Sequence, residues 1–228
     1  NESDVIRREI AMGEDNPEQV LSKALFRTAY TTHPCRYPVI GFLDLFNQLS
    51  RDDLYGYYRE KYSPDNLIMV VAGDVDAKRT AELIESHMGG VERRRRSPVI
   101  LPEEPRQIGI REESVLFPTE LVRGRFGLSA PSGDHPDSPA LDILAAILGG
   151  GKSSRLYREV RENQQLVNSV GAYAYTPTFI GQFVVSYDAD PEKAESAEAA
   201  IREQVESLKE GGVSAEAVSY THLTLPTK

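Results

Sequence analysis

The amino-acid sequence predicts an α+β protein built from two related lobes. Two blocks, residues 1–91 and 108–217, each combine apolar, strand-like runs with amphipathic helical patterns. Residues 92–107 separate them with a run of four arginines and three prolines, a composition typical of a solvated connector. The chain is 40% hydrophobic and 27% charged, which is enough apolar mass for a folded core.

The charge and cysteine content exclude several classes of protein. The net charge is −9, whereas a nucleic-acid-binding domain normally carries a basic face. A single cysteine, Cys35, excludes a disulfide framework and a multi-cysteine metal site, and it is compatible with either cytoplasm or periplasm. No apolar run is long enough to span a membrane.

The first block predicts five helices and one strand. Residues 2–12 form a helix, and Asn16 caps a second helix that begins at Pro17. Ser50 and Asp53 form a capping box at the start of a later helix. The apolar run 67–72 predicts a buried strand. A short helix is predicted at residues 42–50, and another helix begins after Asp76 and ends at Gly89. Residues 32–41 are predicted to form a loop, in which His33 and Cys35 have structural roles.

The second block alternates predicted strands and helices. Strands are expected at residues 108–117 and 121–131, and helices at residues 138–150 and 153–163. A hairpin of two paired strands follows, at residues 166–175 and 180–189, and then a long helix at residues 191–211.

The last eleven residues, 218–228, do not continue the pattern of the chain. Ser214 is a plausible cap for a new helix, but the helical pattern stops a few residues later. Val218 to Thr227 can be read from GTC TCT TAT ACA CAT CTG ACG CTG CCG ACG, which resembles a transposase-type sequencing adapter. We therefore expect 218–228 to be read-through, and we exclude it from the fold.

Few patterns of residues suggest a site by themselves. Gly151-Lys152-Ser153 matches the end of a phosphate-binding loop, but Ala146 stands where that loop needs glycine, and a helical pattern precedes it. The hypothesis that the chain is a nucleotide-binding protein rests on this motif alone. We expect these glycines to allow a tight turn between two helices. No two histidines have the spacing of helical metal ligands. Glu2 and Glu9 lie seven residues apart, hence on one helical face, which usually means a solvated surface.

Several ordered segments resemble one protein family. ESDVIRREI, DNPEQV, HPCRYPVIG and YSPDNLIMVVAGDV are similar to the second half of the catalytic domain of pitrilysin/insulinase-type zinc peptidases, the inverzincins. Mitochondrial processing peptidase and its bacterial relatives are the nearest subgroup. LGGGKSSRLYREVRENQQLVNSVGAYAY resembles the following, non-catalytic repeat. The resemblance covers residues 1–217.

The resemblance implies an architecture and a metal. Each lobe would be an antiparallel-type sheet packed with helices, with residues 1–91 as the C-terminal part of an incomplete catalytic lobe, 92–107 as the linker and 108–217 as the second lobe. Zinc would be held by two histidines of an upstream H-x-x-E-H motif, which these residues lack, and by Glu9. Glu2 would be a helper acid that orients the metal ligands.

The resemblance also implies a contact with the substrate. In active relatives the second lobe supplies an arginine and, seven residues later, a tyrosine near the scissile bond. The matching residues are Arg161 and Asn168, so the phenol is absent here. From the sequence alone, Arg161 could equally be a surface charge paired with Glu159 or Glu162. The loss of the phenol fits relatives in which a partner chain carries the arginine–tyrosine pair.

Two hypotheses for the function follow. In the first, the chain is a fragment of a zinc-dependent metalloendopeptidase that hydrolyses peptides in a clamshell chamber, paired with itself or a related subunit and inactive alone. In the second, it belongs to a non-catalytic structural or partner subunit of the same fold. Asn168 favours the second hypothesis slightly, and Glu2 with Glu9 favours the first.

Overall fold

A computed structural model describes residues 2–94, 98–213 and 218. Nearly all of the predicted tail, the cap predicted at Ser214 and the end of the arginine run lie outside these residues. The chain forms two compact units, Asn1–Pro38 with Glu103–Lys228, and Val39–Pro102. The lobe limits at residues 91 and 108 remain a prediction.

The first unit begins with two helices, α1 (Glu2–Glu14) and α2 (Pro17–Ala29). Asn16 caps α2 as predicted, because its side-chain oxygen accepts hydrogen bonds from the amides of Glu18 (2.9 Å) and Gln19 (3.1 Å). Pro17 occupies the first turn, where its missing N–H costs nothing. The sequence therefore fixes the start of α2 locally.

Three antiparallel strands form the sheet of this unit: β1 (Val122–Ser129), β2 (Ser169–Tyr175) and β3 (Gln182–Ala189). Their order is β1-β3-β2, with β3 in the centre. Ser169 pairs with Asp188 and Tyr175 with Gln182, so the predicted hairpin is confirmed. The mixture of helices with an open antiparallel sheet confirms the predicted α+β class.

Helices α6 (Ser138–Gly149) and α7 (Ala194–Gly211) complete the core of the first unit, and a short 3-10 turn, Pro191–Lys193, precedes α7. The central strand, β3, contributes mainly buried side chains. The largest fully buried apolar side chains are Leu148, Leu156, Val160, Val184, Val185 and Ile201.

The glycines of the rejected phosphate loop have a packing role. A Cβ at Gly149 would collide with the backbone of β2 at Gly171 and Ala172, so glycine allows α6 to approach the sheet closely. Gly151 has φ +81°, a left-handed conformation that side chains disfavour. These two positions explain the glycine run without a ligand.

The second unit contains α3 (Leu43–Phe46), α4 (Arg51–Lys61) and α5 (Ala77–Met88). The predicted capping box is present: the Asp53 amide donates to Ser50 Oγ (3.2 Å), and the Ser50 amide donates to the Asp53 carboxylate (2.8 Å). Asp76 caps α5 by accepting a hydrogen bond from the Arg79 amide at 2.7 Å.

Two strand predictions are wrong. Residues 67–72 and 108–117 are not strands. Ile68 is 94% exposed and Val70 84% exposed, so the first segment is not buried either. An extended segment becomes a strand only when its backbone groups pair with a neighbour. No strand in residues 2–94 and 98–213 pairs with either segment.

A helix that crosses a membrane must be apolar over about 20 residues. Within the described residues, no helix is both long enough and apolar enough to cross a membrane.

Candidate functional site

Glu2 and Glu9 both lie on α1, and both are exposed. Seven residues is close to two helical turns, so the carboxylates share one face of the helix. Ile10, the residue after Glu9, is buried, and α1 packs against α2. In the described residues neither carboxylate has a hydrogen bond or an ion pair, so both are available to a ligand.

The described residues do not complete a metal site by themselves. Zinc in a catalytic site takes three protein ligands and keeps one position for water or substrate. Among the described residues, no three His, Cys, Asp or Glu side chains come together in a way that could hold a metal. Glu9 could therefore act only as one ligand of a site that other residues complete.

Arg161 lies on a π-helix, Tyr157–Asn163, where the sequence predicts an ordinary helix. The wider turn is visible in the hydrogen bond from the Gln164 amide to the Glu159 carbonyl, five residues back, at 3.2 Å. Hydrophobic periodicity indicates a helix but does not separate the π from the α form. π-helical segments are rare in proteins, and those that occur often lie at functional sites. This supports Arg161 as a site residue.

The guanidinium of Arg161 is held in place by its neighbours. Its Nε donates to the Asn168 carbonyl at 2.8 Å, and one Nη donates to the Tyr157 hydroxyl. The guanidinium carbon lies 4.7 Å from the centre of the Tyr157 ring. The contact with Glu162 is long, at 3.5 Å, while Glu159 accepts from Asn163. Arg161 is therefore more than a surface charge in an ion pair, and its side chain remains 37% exposed.

Asn168 begins the pairing of β2 with β3. Its amide donates to the Asp188 carbonyl at 2.7 Å, and its side-chain nitrogen donates to the Asp190 carboxylate at 3.3 Å. Three residues earlier, Gln165 has φ +54°. The described residues show no other side-chain-bearing residue with positive φ, so the turn between the π-helix and β2 is strained.

A polar cluster that sequence reasoning missed joins α2 to the sheet. The Glu18 carboxylate accepts hydrogen bonds from Arg123 (2.7 Å) and Arg125 (2.6 Å). Burial raises the pKa of Glu18, but the two arginines outweigh it and lower the pKa below its usual value. Ser169 donates to Asp188 on the same face, at 2.8 Å. The sequence signal for this cluster is the spacing of Arg123 and Arg125, which places both side chains on one face of β1.

A second missed residue, Glu104, holds the chain after α2. Its carboxylate accepts from the amides of Thr31 (2.7 Å), Thr32 (2.9 Å) and His33 (2.8 Å), and from both threonine hydroxyls. Burial raises its pKa, but the hydrogen bonds from His33, Thr31 and Thr32 outweigh burial and lower the pKa of Glu104 to about 2. We call these residues the Glu104 clasp.

His33 and Cys35 lie beside the Glu104 clasp. His33 is buried, and its Nδ1 accepts a hydrogen bond from the Cys35 amide at 3.2 Å. Burial raises the pKa of the Cys35 thiol, so the reactive thiolate is disfavoured. Both observations agree with the structural roles predicted for these residues.

The fold has known relatives among proteases. A crystal structure of a protease from Helicobacter pylori superimposes with a TM-score of 0.87 and 26% identity, over 98% of this chain and 56% of that chain. The chain thus has the helix-covered antiparallel fold of a protease domain. The family model described as the peptidase M16 inactive domain matches residues 48–223, and the chain belongs to the peptidase M16 family.

Curated relatives carry the same assignment. An uncharacterized zinc protease of Mycobacterium tuberculosis is 32% identical over 171 residues, which cover 74% of this chain and 39% of that protein. Zinc protease PqqE of Helicobacter pylori is 30% identical over 217 residues, which cover 93% of this chain and 49% of that protein. The chain spans half or less of the length of these two relatives.

Proposed function

We propose that this chain is part of a zinc-dependent metalloendopeptidase, in which it supplies one zinc ligand and one peptide contact. The observation that carries the proposal is the pair of exposed, unpartnered carboxylates, Glu2 and Glu9, on one face of α1. Membership of the M16 family and two relatives named zinc proteases support it.

In this proposal Glu9 is the third zinc ligand, and two histidines from outside these 228 residues complete the set. When bound, zinc would lower the pKa of a water molecule toward neutrality. Glu2, on the same face, would orient the ligands and balance the metal charge. Because the H-x-x-E-H motif is absent from the sequence, we expect no hydrolysis by this chain alone.

The peptide contact in this proposal is Arg161. Its guanidinium is held by Tyr157 and Asn168 but keeps exposed donors, which suit the carbonyl groups of an extended peptide. The net charge of −9 favours basic, presequence-like peptides. The substrate would be enclosed in a clamshell chamber formed by two related halves, as a homodimer or heterodimer.

The alternative is a structural or partner subunit of the same fold. One observation favours it. Asn168 occupies the position where the family resemblance implies a tyrosine, and its side chain is already hydrogen-bonded to Asp190. In a heterodimer, the partner would then supply the missing tyrosine. An intact upstream H-x-x-E-H motif in the complete gene favours the peptidase, and its loss favours the scaffold.

The test is peptide hydrolysis by the complete protein encoded by the source gene. Glu9→Gln should abolish turnover, whereas Glu14→Gln, which changes another exposed carboxylate of α1, should leave turnover intact. The 228-residue chain with added zinc should be inactive. Robust turnover by that chain, or full activity of Glu9→Gln, would overturn the proposal.

A further inference from the structure

Tyr157 and Arg161 form a pair on the π-helix. Side chains four residues apart lie on the same side of a helix, one above the other. The Arg161 guanidinium lies 4.7 Å from the centre of the Tyr157 ring, within the range of a cation–π contact. Both side chains are only partly buried, so the pair faces solvent with a preformed geometry.

The hydrogen bonds of this pair leave two donors free. Arg161 uses Nε for the Asn168 carbonyl and Nη1 for the Tyr157 hydroxyl oxygen, which acts as an acceptor, and Nη1 also makes the long contact with Glu162 at 3.5 Å. In residues 2–94 and 98–213, the Tyr157 O–H finds no acceptor and Arg161 Nη2 makes no hydrogen bond. A phenol and a guanidinium thus present adjacent, unused N–H and O–H donors.

We propose that Tyr157 is a second peptide-contacting residue, whose hydroxyl donates a hydrogen bond to a backbone carbonyl of the peptide held by Arg161. This inference rests on the proposed role of Arg161. A carbonyl oxygen has two lone pairs and can accept from both donors. The hydrogen bond from the Arg161 cation polarises the phenol, which makes it a stronger donor.

Asn168 does not fill this role in the structure. Its side-chain nitrogen donates to the Asp190 carboxylate at 3.3 Å, and its carbonyl accepts from Arg161. Asn168 therefore positions the arginine through its backbone, while the phenol that could meet the peptide comes from one helical turn before Arg161.

The test compares peptide binding by variants of the complete protein. The probe is a short fluorescein-labelled peptide rich in arginine and alanine, and the readout is fluorescence anisotropy. Tyr157→Phe keeps the ring and its packing but removes the hydroxyl, so we expect about five- to tenfold weaker binding, the value of one hydrogen bond, with an unchanged melting temperature. Tyr173→Phe, a partly exposed phenol on β2, is the matched control and should bind as the wild type.

Arg161→Ala separates this inference from the proposed function. If Arg161→Ala weakens binding and Tyr157→Phe does not, the role of Tyr157 is wrong and the proposed function stands. If neither change weakens binding, the peptide contacts proposed for Arg161 and Tyr157 are both wrong, and the zinc role of Glu9 is decided by Glu9→Gln. In the double variant, Tyr157→Phe should weaken binding less than it does alone, because the pair acts on one carbonyl. Fully additive losses would contradict the shared contact.

Discussion

Replacing Glu104 by glutamine should destabilise the first unit. The carboxylate accepts three amide and two hydroxyl hydrogen bonds in the Glu104 clasp. Glutamine offers one acceptor oxygen, and its amino group would face N–H donors. The amides left without a partner would then depend on water.

The magnitude follows from the pKa of Glu104, which hydrogen bonding lowers from 4.5 to about 2 against the effect of burial. This difference corresponds to roughly 3 kcal/mol for the ionised carboxylate, and screening by solvent around a half-buried group reduces it to about 2 kcal/mol. Because the folded-state pKa is lowered, the contribution is complete above the unfolded pKa of 4.5. It is lost as the pH falls toward 2.

The assay is urea unfolding of the 228-residue chain at pH 7 and again at low pH. Glu104→Gln should lower the unfolding midpoint at pH 7 with an unchanged m value, and the difference from wild type should shrink on acidification. Glu103→Gln, an exposed neighbour, is the matched control and should change stability by less than about 0.5 kcal/mol. Equal effects of the two changes at pH 7 would refute the reasoning.

Three further changes test local features of the fold. Gln165→Gly should stabilise the chain by about 0.5–1 kcal/mol in urea unfolding, because φ +54° is strained for glutamine; a loss of stability would contradict this. Gly149→Ala should destabilise by about 1–3 kcal/mol, since its Cβ meets the backbone of β2, whereas the open Gly90→Ala should not. Asn16→Ala should cost about 1 kcal/mol and lower helicity by circular dichroism; no change would mean that the cap is not needed.

Features with local causes could be predicted from the sequence. Asn16 followed by Pro17 defines the start of α2, and the Ser50–Asp53 capping box defines the start of α4. The hairpin of β2 and β3 was predicted because its strands are close in the chain and flank a turn. In each of these, the interacting groups lie within a few residues or one short turn.

Features that need distant partners could not be predicted. The run 67–72 is apolar and β-prone, but pairing with another strand decides whether it becomes a strand, and a periodicity carries no information on the partner. The Glu104 clasp joins residues more than seventy positions apart. The sequence Glu103-Glu104-Pro105 does not indicate which of the two glutamates accepts these hydrogen bonds.

The candidate site shows the same division. Glu2 and Glu9 share a helical face by spacing alone, and the structure has them on α1. Their roles, and that of Arg161, came from the family resemblance and remain predictions. Hydrophobic periodicity does not separate the π-helix from an α-helix, so neither the π-helix nor the Tyr157 contact could be predicted from the pattern of residue types.

The zinc content of the complete protein tests the central claim most directly. After exhaustive dialysis, mass spectrometry of the metal should find about one zinc per chain in the wild type and in Glu14→Gln, and almost none in Glu9→Gln. Glu2→Gln should retain zinc with an affinity about 10–100-fold weaker. A full complement of zinc in folded Glu9→Gln would contradict the assignment of Glu9 as a ligand.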